Sequence, residues 1–155
     1  MKSQGARGHK GFNLIELLVT LAVFAVIVGI AIPSFLDLIR DSKARSQSNQ
    51  ILSYLHYARS EAVKRQLNVE ARMAQSTAGW NMQIFRTDNN ELLRRLDVTD
   101  NNVALGGDEN VIFDSRGRPL QQRCIGVIVD ENSKYSRQVT VLPGGKIAVE
   151  AGQCQ

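Results

Sequence analysis

Side chains that could carry out catalysis are few in this chain. Its two histidines are His9 and His56, and its two cysteines are Cys124 and Cys154. No glycine-rich phosphate loop, no paired histidines and no Cys-x-x-Cys occurs. His9 stands in a basic N-terminal stretch and His56 in a helical one, so a nucleophilic triad is not expected. The sequence therefore predicts no catalytic residue, no metal site, no cofactor and no enzyme activity.

A group of arginines has the chemistry for binding. Arg116, Arg118 and Arg123 flank the Gly117 turn in DSRGRPLQQR. Arginines on a projecting loop can contact backbone phosphates without sequence selectivity. The same residues can also form an ordinary solvated hairpin loop, and both interpretations stay open.

One carboxylate stands in an unusual place. Glu16 is the only charged residue between Phe12 and Ile32, a stretch long enough as a helix to span the roughly 30 Å of a bilayer core. Burying a carboxylate in lipid costs about 2.5–3.5 kcal/mol on insertion scales. Glu16 should therefore meet a cation or a donor, or else reach back to the membrane interface.

The residues before this stretch set its orientation. Lys2, Arg7 and Lys10 are cationic, no acid accompanies them, and the segment ends in Gly11 followed by Phe12. Positive charge beside a first span stays in the cytoplasm, so everything after the span should cross the membrane. An ordinary secretory signal is cut after its apolar region, whereas a cut after Gly11 would keep that region.

This segment resembles the leader of type IV prepilins, which combines a basic peptide, a Gly-Phe junction and FNLIELLVTLAVFAVIVGIAIP. The resemblance implies that a prepilin peptidase cleaves between Gly11 and Phe12 and methylates the new N-terminal Phe12. It also implies that Glu16 docks incoming subunits and that Pro33 kinks the helix. An uncleaved signal anchor that happens to hold a glutamate is the alternative.

Loss of the leader changes the net charge, and transport across the membrane sets the redox environment of the cysteines. The chain of 155 residues has 19 Lys and Arg against 15 Asp and Glu. Three of these cations precede Phe12, so 16 against 15 gives a net charge of +1 after cleavage. Cys124 and Cys154 would lie in an oxidising compartment with only each other to pair with, which predicts a disulfide.

A helical pattern resumes after Pro33. No glycine or proline occurs from Ser34 to Gln66, and apolar residues recur every three or four positions. This predicts one helix from Phe12 to Gln66, apolar all round before Pro33 and amphipathic after it. A membrane anchor joined to an ordinary coiled coil is the alternative. The residues of the apolar stripe are Ala44, Ile51, Leu55, Ala58 and Ala62.

Beyond Asn68 the pattern changes to short alternating runs with turn residues between them. We expect two antiparallel sheets or one bent sheet packed on the amphipathic half of the helix. The stretch through Gly106, Gly107 and Asp108 is predicted to be a loop. The predicted strands lie at 69–74, 80–86, 91–98 and 110–114 and begin again at Cys124, Arg137 and Lys146.

The segment ARSEAVKR, residues 58–65, resembles the helix-end motif of the GspH/FimT/FimU family of minor pilins and pseudopilins. Physically it offers small residues for close packing and exposed ion pairs of Glu61 with Lys64 or Arg65. A DNA-binding subgroup of that family carries a Gly-Arg-x-Arg motif near its C terminus. Here that turn has a single cation, Lys146, which is the fourth candidate phosphate contact.

The resemblance implies an α+β, pilin-like fold in which a long N-terminal helix packs against a small antiparallel β domain. The expected divisions are a leader at 1–11, a transmembrane half-helix at 12–33, an amphipathic half at 34–66 and a periplasmic domain at 67–155.

The main functional hypothesis is a minor pilin, a tip or priming subunit that supports pilus biogenesis, motility or adhesion. A minor pseudopilin of a type II secretion system and a DNA-binding minor pilin for natural transformation are the alternatives. The subunit would wait in the inner membrane in contact with lipid, then enter a pilus at the cell surface. Its expected partners are other major and minor pilins, prepilin peptidase, the inner-membrane assembly platform and, as the alternative function requires, DNA.

Overall fold

The computed structural model describes residues 13–154 and contains one long helix in that range, α1, Leu14–Arg65. The chain forms two compact units, the first ending at Asp37 and the second beginning at Leu38. Gln66 ends the helix with a left-handed backbone (φ 55°), and the amide of Leu67 donates to the carbonyl of Ala62 at 3.2 Å. These two features form a standard C-terminal helix cap. The helix predicted to reach Gln66 therefore ends at Arg65.

In the second unit, α1 contributes one buried face to the core. Ala44, Ala58 and Ala62 are fully buried and allow the strands to approach the helix closely. Ser48 is also buried, and its hydroxyl donates to the carbonyl of Ala44 at 2.8 Å, so its polar atom is satisfied. The predicted apolar stripe is confirmed, since Ala44, Ile51, Leu55, Ala58 and Ala62 are all fully buried.

Eight strands follow the helix within the described residues. Seven overlap predicted strands, although the seventh begins at Asn132, five residues before the predicted Arg137, and the fourth lies in the stretch predicted to be a loop. That prediction was wrong because the strand ends in two glycines, which signal a turn when read locally. The strands are β1 Val69–Ser76, β2 Gly79–Arg86, β3 Leu92–Val98, β4 Val103–Gly107, β5 Asn110–Phe113, β6 Arg123–Val129, β7 Asn132–Val141 and β8 Ile147–Ala151.

The strands form two antiparallel sheets of four, which is the first of the two arrangements predicted. The first sheet has the order β3-β2-β1-β5 and the second the order β4-β6-β7-β8. The β4 to β5 connection therefore passes from the edge of one sheet to the edge of the other. Among the described residues, Gln75 of β1 also bridges them, since its side chain accepts from the amide of Leu105 and donates to the carbonyl of Val103.

The register of the strands places their apolar residues on the helix side. Trp80, Met82 and Ile84 are buried on β2, as are Val139 and Val141 on β7. Ile147 and Val149 pair with the latter two and are half-buried against the same core. The predicted faces of these strands are confirmed, and the α+β fold class with them.

Candidate functional site

The first unit carries the apolar part of α1. Its apolar side chains are exposed in the isolated chain, and the helix is the one described element long and apolar enough, by length and composition, to cross a membrane. Glu16 lies in its first turn and is exposed. Pro33 lies inside α1, and the assigned helix continues past it. The cleavage and methylation positions, Gly11 and Phe12, fall outside the described residues.

Asn13 provides the start of α1. Its side-chain oxygen accepts a hydrogen bond from the amide of Ile15 at 3.3 Å, and its carbonyl accepts from the amide of Leu17 at 3.2 Å. This is an N-cap, which satisfies helix amides that have no partner within the helix. The helix can therefore begin just after the predicted cleavage position without help from the leader.

The cationic loop of the sequence forms a tight turn at 114–118, here called the first glycine turn. The Asp114 carboxylate accepts bonds from the amides of Arg116 and Arg118, both at 2.9 Å. These bonds, that from Arg118 foremost, hold the pKa of Asp114 below its ordinary value. Asp114 is thus part of the turn and leaves the two arginine side chains exposed.

A second glycine turn, 142–146, lies against the first. The amide of Gly145 donates to the carbonyl of Leu142 at 2.7 Å, and the backbone of Gly145 is left-handed (φ 82°). A Cβ at Gly145 would lie 2.9 Å from the carbonyl oxygen of Gly117. The two turns are therefore in contact through backbone that only glycine accommodates.

Arg59 of α1 joins the two turns to the helix. Its Nη1 donates to the carbonyl of Gly145 at 2.8 Å, and its Nε would lie 3.1 Å from a Cβ at Gly117. Sequence analysis did not single out Arg59, although it stands inside ARSEAVKR. The signal that could have found it is an arginine on the alanine-rich, packed side of the helix.

The same segment contains a second difference from the prediction. Glu61 was expected to form exposed ion pairs, but the residue is buried, with 7% of its surface accessible. Arg65 donates to its carboxylate at 2.6 Å, while Lys64 is 4.0 Å away. The ion pair with Arg65 compensates burial of the charge, so Glu61 belongs to the packing of the helix end.

The four candidate phosphate contacts separate into two groups. Arg116, Arg118 and Lys146 are exposed and lie on the two touching glycine turns. Arg123 is elsewhere, and it donates to Asp108 at 2.8 Å. The structure brings three of the four candidates together, with Arg116 also 3.5 Å from the Asp114 carboxylate, and places the fourth apart from them in an ion pair with Asp108.

The predicted disulfide between Cys124 and Cys154 is present. It fixes the C-terminal tail to β6, with the Cα atoms 5.7 Å apart. The Sγ of Cys154 would lie 3.2 Å from a Cβ at Gly107, so the tail also packs beside the end of β4. His56 is exposed on α1, and no cluster of three or more His, Cys, Asp or Glu suitable for a metal ion occurs in residues 13–154.

Comparison with known families defines the class of protein. Residues 6–32 match the prokaryotic N-terminal methylation motif, and residues 47–145 match type II transport protein GspH. The long helix followed by two antiparallel sheets is a pilin-like fold, and the chain falls among the minor pilins and pseudopilins. It belongs to the GspH family.

Two solved structures share the fold. One is the type IV minor pilin FimU of Pseudomonas aeruginosa, 17% identical with a TM-score of 0.61, where the match covers 70% of this chain and 89% of that one. The other is the minor pseudopilin EpsH from the type 2 secretion system of Vibrio cholerae, 11% identical with a TM-score of 0.55, covering 70% and 96%. A search of curated protein sequences gives no match. Both solved relatives are named as pilin-type subunits and neither as an enzyme.

Proposed function

We propose that this chain is a minor pilin of a type IV pilus, a tip or priming subunit that supports pilus biogenesis. The observation that carries the proposal is the methylation motif at residues 6–32, which includes the start of α1 and its cap at Asn13. A helix that starts there and exposes its apolar side chains suits packing with other such helices in a filament. Motility and adhesion would follow from the pilus that the subunit helps to build.

In this proposal the chain is divided by its environment. Residues 1–11 are removed, 12–33 cross the inner membrane, 34–66 carry the domain, and 67–155 form that domain in the periplasm. Prepilin peptidase and the assembly platform of the inner membrane act on the anchored form, and other pilins replace lipid around the helix when the subunit enters the filament.

Processing gives the first test. Mass spectrometry of the protein recovered with filaments should give Phe12 as the first residue, carrying a methyl group. Gly11→Val should block cleavage, and Gly8→Val, an equal change within the leader, should leave it intact. A mature protein that begins at Met1 would overturn the proposal.

A minor pseudopilin of a type II secretion system is the second candidate, favoured by the match of residues 47–145 to type II transport protein GspH. Deletion of the gene distinguishes the two machines. Loss of surface pili with normal protein secretion supports the pilus, whereas loss of secretion with normal pili supports the secretion system.

DNA binding is the third candidate, favoured by the position of Arg116, Arg118 and Lys146 on two touching turns. Gel shifts with duplex DNA at increasing salt test it, because phosphate contacts weaken as salt rises. Replacing the three residues with alanine should abolish a shift, whereas Arg123→Ala should not, since that arginine lies outside the two turns and pairs with Asp108 at 2.8 Å. No shift of the wild-type protein at low salt would exclude this function.

A further inference from the structure

We propose that Arg94, stacked on Tyr54 and Tyr57, is a docking point for a carboxylate of a neighbouring pilin-like subunit. The identity of the neighbour rests on the proposed function. The site itself is inferred from the geometry of β3 and α1, and it does not depend on the methylation motif or on the glycine turns.

The register of β3 places Arg94 on the helix side of the sheet, directly beside a β-bulge. In the pairing of β2 with β3, Ile84 lies opposite Arg94 but Phe85 lies opposite Leu92, so Leu93 is an extra residue. Ile84 is fully buried on the core side, and its partner Arg94 therefore projects on that side too. Arg94 is in regular register with Leu96 and Val98, so it faces the helix by alternation along β3, and the bulge lies just beyond it.

The helix receives Arg94 with two aromatic rings. The guanidinium carbon lies 4.4 Å from the ring centroid of Tyr54 and 5.0 Å from that of Tyr57. The two tyrosines are half-buried, and the hydroxyl of Tyr54 donates to the carbonyl of Arg95 at 3.2 Å. The rings are thus fixed by the fold and hold the exposed guanidinium in one place.

Arg94 differs from the arginines around it in having no acid. Within residues 13–154, no carboxylate lies within 4.0 Å of its nitrogens. Three other arginines of α1, β2 and β3 are paired with acids: Arg95 with Asp97 at 2.7 Å, Arg86 with Asp88 and Glu91 at 2.7 and 2.9 Å, and Arg65 with Glu61 at 2.6 Å.

These features define the chemistry of the partner. Stacking occupies the face of the guanidinium plane and leaves the N–H groups at its edge, where two of them match the oxygens of one carboxylate. A polyanion would need several unpaired cations side by side, whereas here one unpaired cation stands among neutralised ones. A single Asp or Glu side chain of a folded partner fits this site better than a nucleic acid.

The composition of the site is also that of a protein interface. Tyrosine and arginine are enriched among the residues that contribute most to binding between proteins. Because Arg94 is already held by two rings, little side-chain freedom remains to be lost when a partner binds. The cost of association is reduced accordingly.

The test uses the full-length protein in cells that assemble the filament. A photo-crosslinking amino acid replaces His56, which is exposed and adjacent to Tyr57. Wild-type Arg94 should give a crosslink to a co-assembled subunit, and Arg94→Glu should reduce that crosslink about tenfold, the change expected on losing roughly 1.4 kcal/mol of binding free energy. Arg95→Gln is the matched control, since that arginine lies next in the strand but is already paired, and it should leave the crosslink unchanged.

A charge swap separates docking from a structural role. Mass mapping of the crosslinked peptide identifies the partner's carboxylates, and changing the contacting one to lysine should restore the crosslink to Arg94→Glu. Undiminished crosslinking of Arg94→Glu would overturn the proposal. So would failure of every mapped charge swap to restore the crosslink, provided that Arg94→Glu unfolds at the wild-type temperature. If the wild-type protein does not co-purify with pilins at all, the proposed function fails and this docking site fails with it.

Discussion

Glycine at position 145 is required by both the conformation of the backbone and the space around it. Its φ of 82° is left-handed, and a Cβ would lie 2.9 Å from the carbonyl oxygen of Gly117. Gly144, its neighbour, has nothing within 4 Å of the corresponding position. Because the two glycines are adjacent but differ in the space around them, a substitution at Gly144 is a control for the same substitution at Gly145.

We therefore expect Gly145→Ala to lower the free energy of unfolding by about 1–3 kcal/mol, because alanine adds both backbone strain and a steric clash. Gly144→Ala should change it by less than about 0.5 kcal/mol. Urea unfolding followed by the fluorescence of Trp80, the only tryptophan, measures both variants. Equal stability of the two would contradict the contact between the glycine turns.

Two carboxylates that form ion pairs between the helix and the β domain predict sensitivity to acid. The pKa of Asp41 lies below its ordinary value, chiefly because Arg137 donates a hydrogen bond to its carboxylate. The pKa of Asp100 is lowered chiefly by Lys43, whose ammonium is 2.8 Å away. Both carboxylates join the helix to sheet strands or their loops.

A carboxyl group with a lower pKa in the folded state stabilises the fold above its unfolded pKa of about 3.9, and this contribution is lost as the pH falls through the folded value. Stability should thus be nearly constant from about pH 7 to 5 and decrease below about pH 4. Asp41→Asn and Asp100→Asn should reduce that decrease, which unfolding midpoints at pH 7 and 3 would measure. Glu109→Gln, a change at an exposed carboxylate that forms no ion pair within residues 13–154, is the control.

At the scale of elements, the two sheets meet through Gln75. Its side-chain oxygen accepts from the amide of Leu105 at 2.9 Å, and its nitrogen donates to the carbonyl of Val103 at 3.2 Å. The side-chain amide of Gln75 therefore takes the place of a neighbouring strand at the edge of β4. Gln75→Ala should lower the free energy of unfolding by about 1 kcal/mol and increase hydrogen exchange of the Leu105 amide.

Gln83→Ala provides the comparison for that experiment, because Gln83 lies on the adjacent strand and forms no side-chain hydrogen bond in the described structure. It should change neither stability nor exchange at Leu105. Protection of the Leu105 amide in Gln75→Ala equal to wild type would show that the side-chain bridge contributes nothing to the β4 edge.

The elements differ in how far sequence could predict them. The span and the helix face follow from local periodicity, as do the alternating faces of β2 and β7. The pairing of β4 with β6 does not follow from local periodicity. The two glycines of β4 indicate a turn unless residues 125–129 are known to be its partner strand. The bulge at Leu93 likewise depends on which residues of β2 it meets.

The site residues also differ in how far sequence could predict them. The cysteine pair follows from composition and compartment, and the loop arginines stand out as a cluster. Arg59 and Arg94 do not stand out in the sequence. Arg59 contacts two turns that are distant in sequence, and Arg94 contacts two rings on another element. Burial of Glu61 was missed because helical spacing gives its ion-pair partner but not the side of the helix that strands cover.

At the scale of the whole molecule, Glu16 tests how the anchor is used. If Glu16 docks subunits, Glu16→Ala should leave membrane insertion and processing intact and reduce co-purification with pilin partners at matched expression. If the carboxylate only reaches back to the interface, its removal should ease insertion and leave assembly unchanged. Thr20→Ala, one turn further along the same helix, is the control. Undiminished recovery of Glu16→Ala would exclude the docking role.

The disulfide has a mechanical consequence for a subunit under load. Its two cysteines are 30 residues apart and enclose most of β6 together with β7 and β8, three of the four strands of the second sheet. When the chain is stretched from its ends, tension passes through the sulfur bridge and bypasses those strands. About 100 Å of contour length, at about 3.4 Å per residue, therefore stays locked in the oxidised protein. Force spectroscopy in reducing and oxidising buffer would register that length as the difference between the two extension curves.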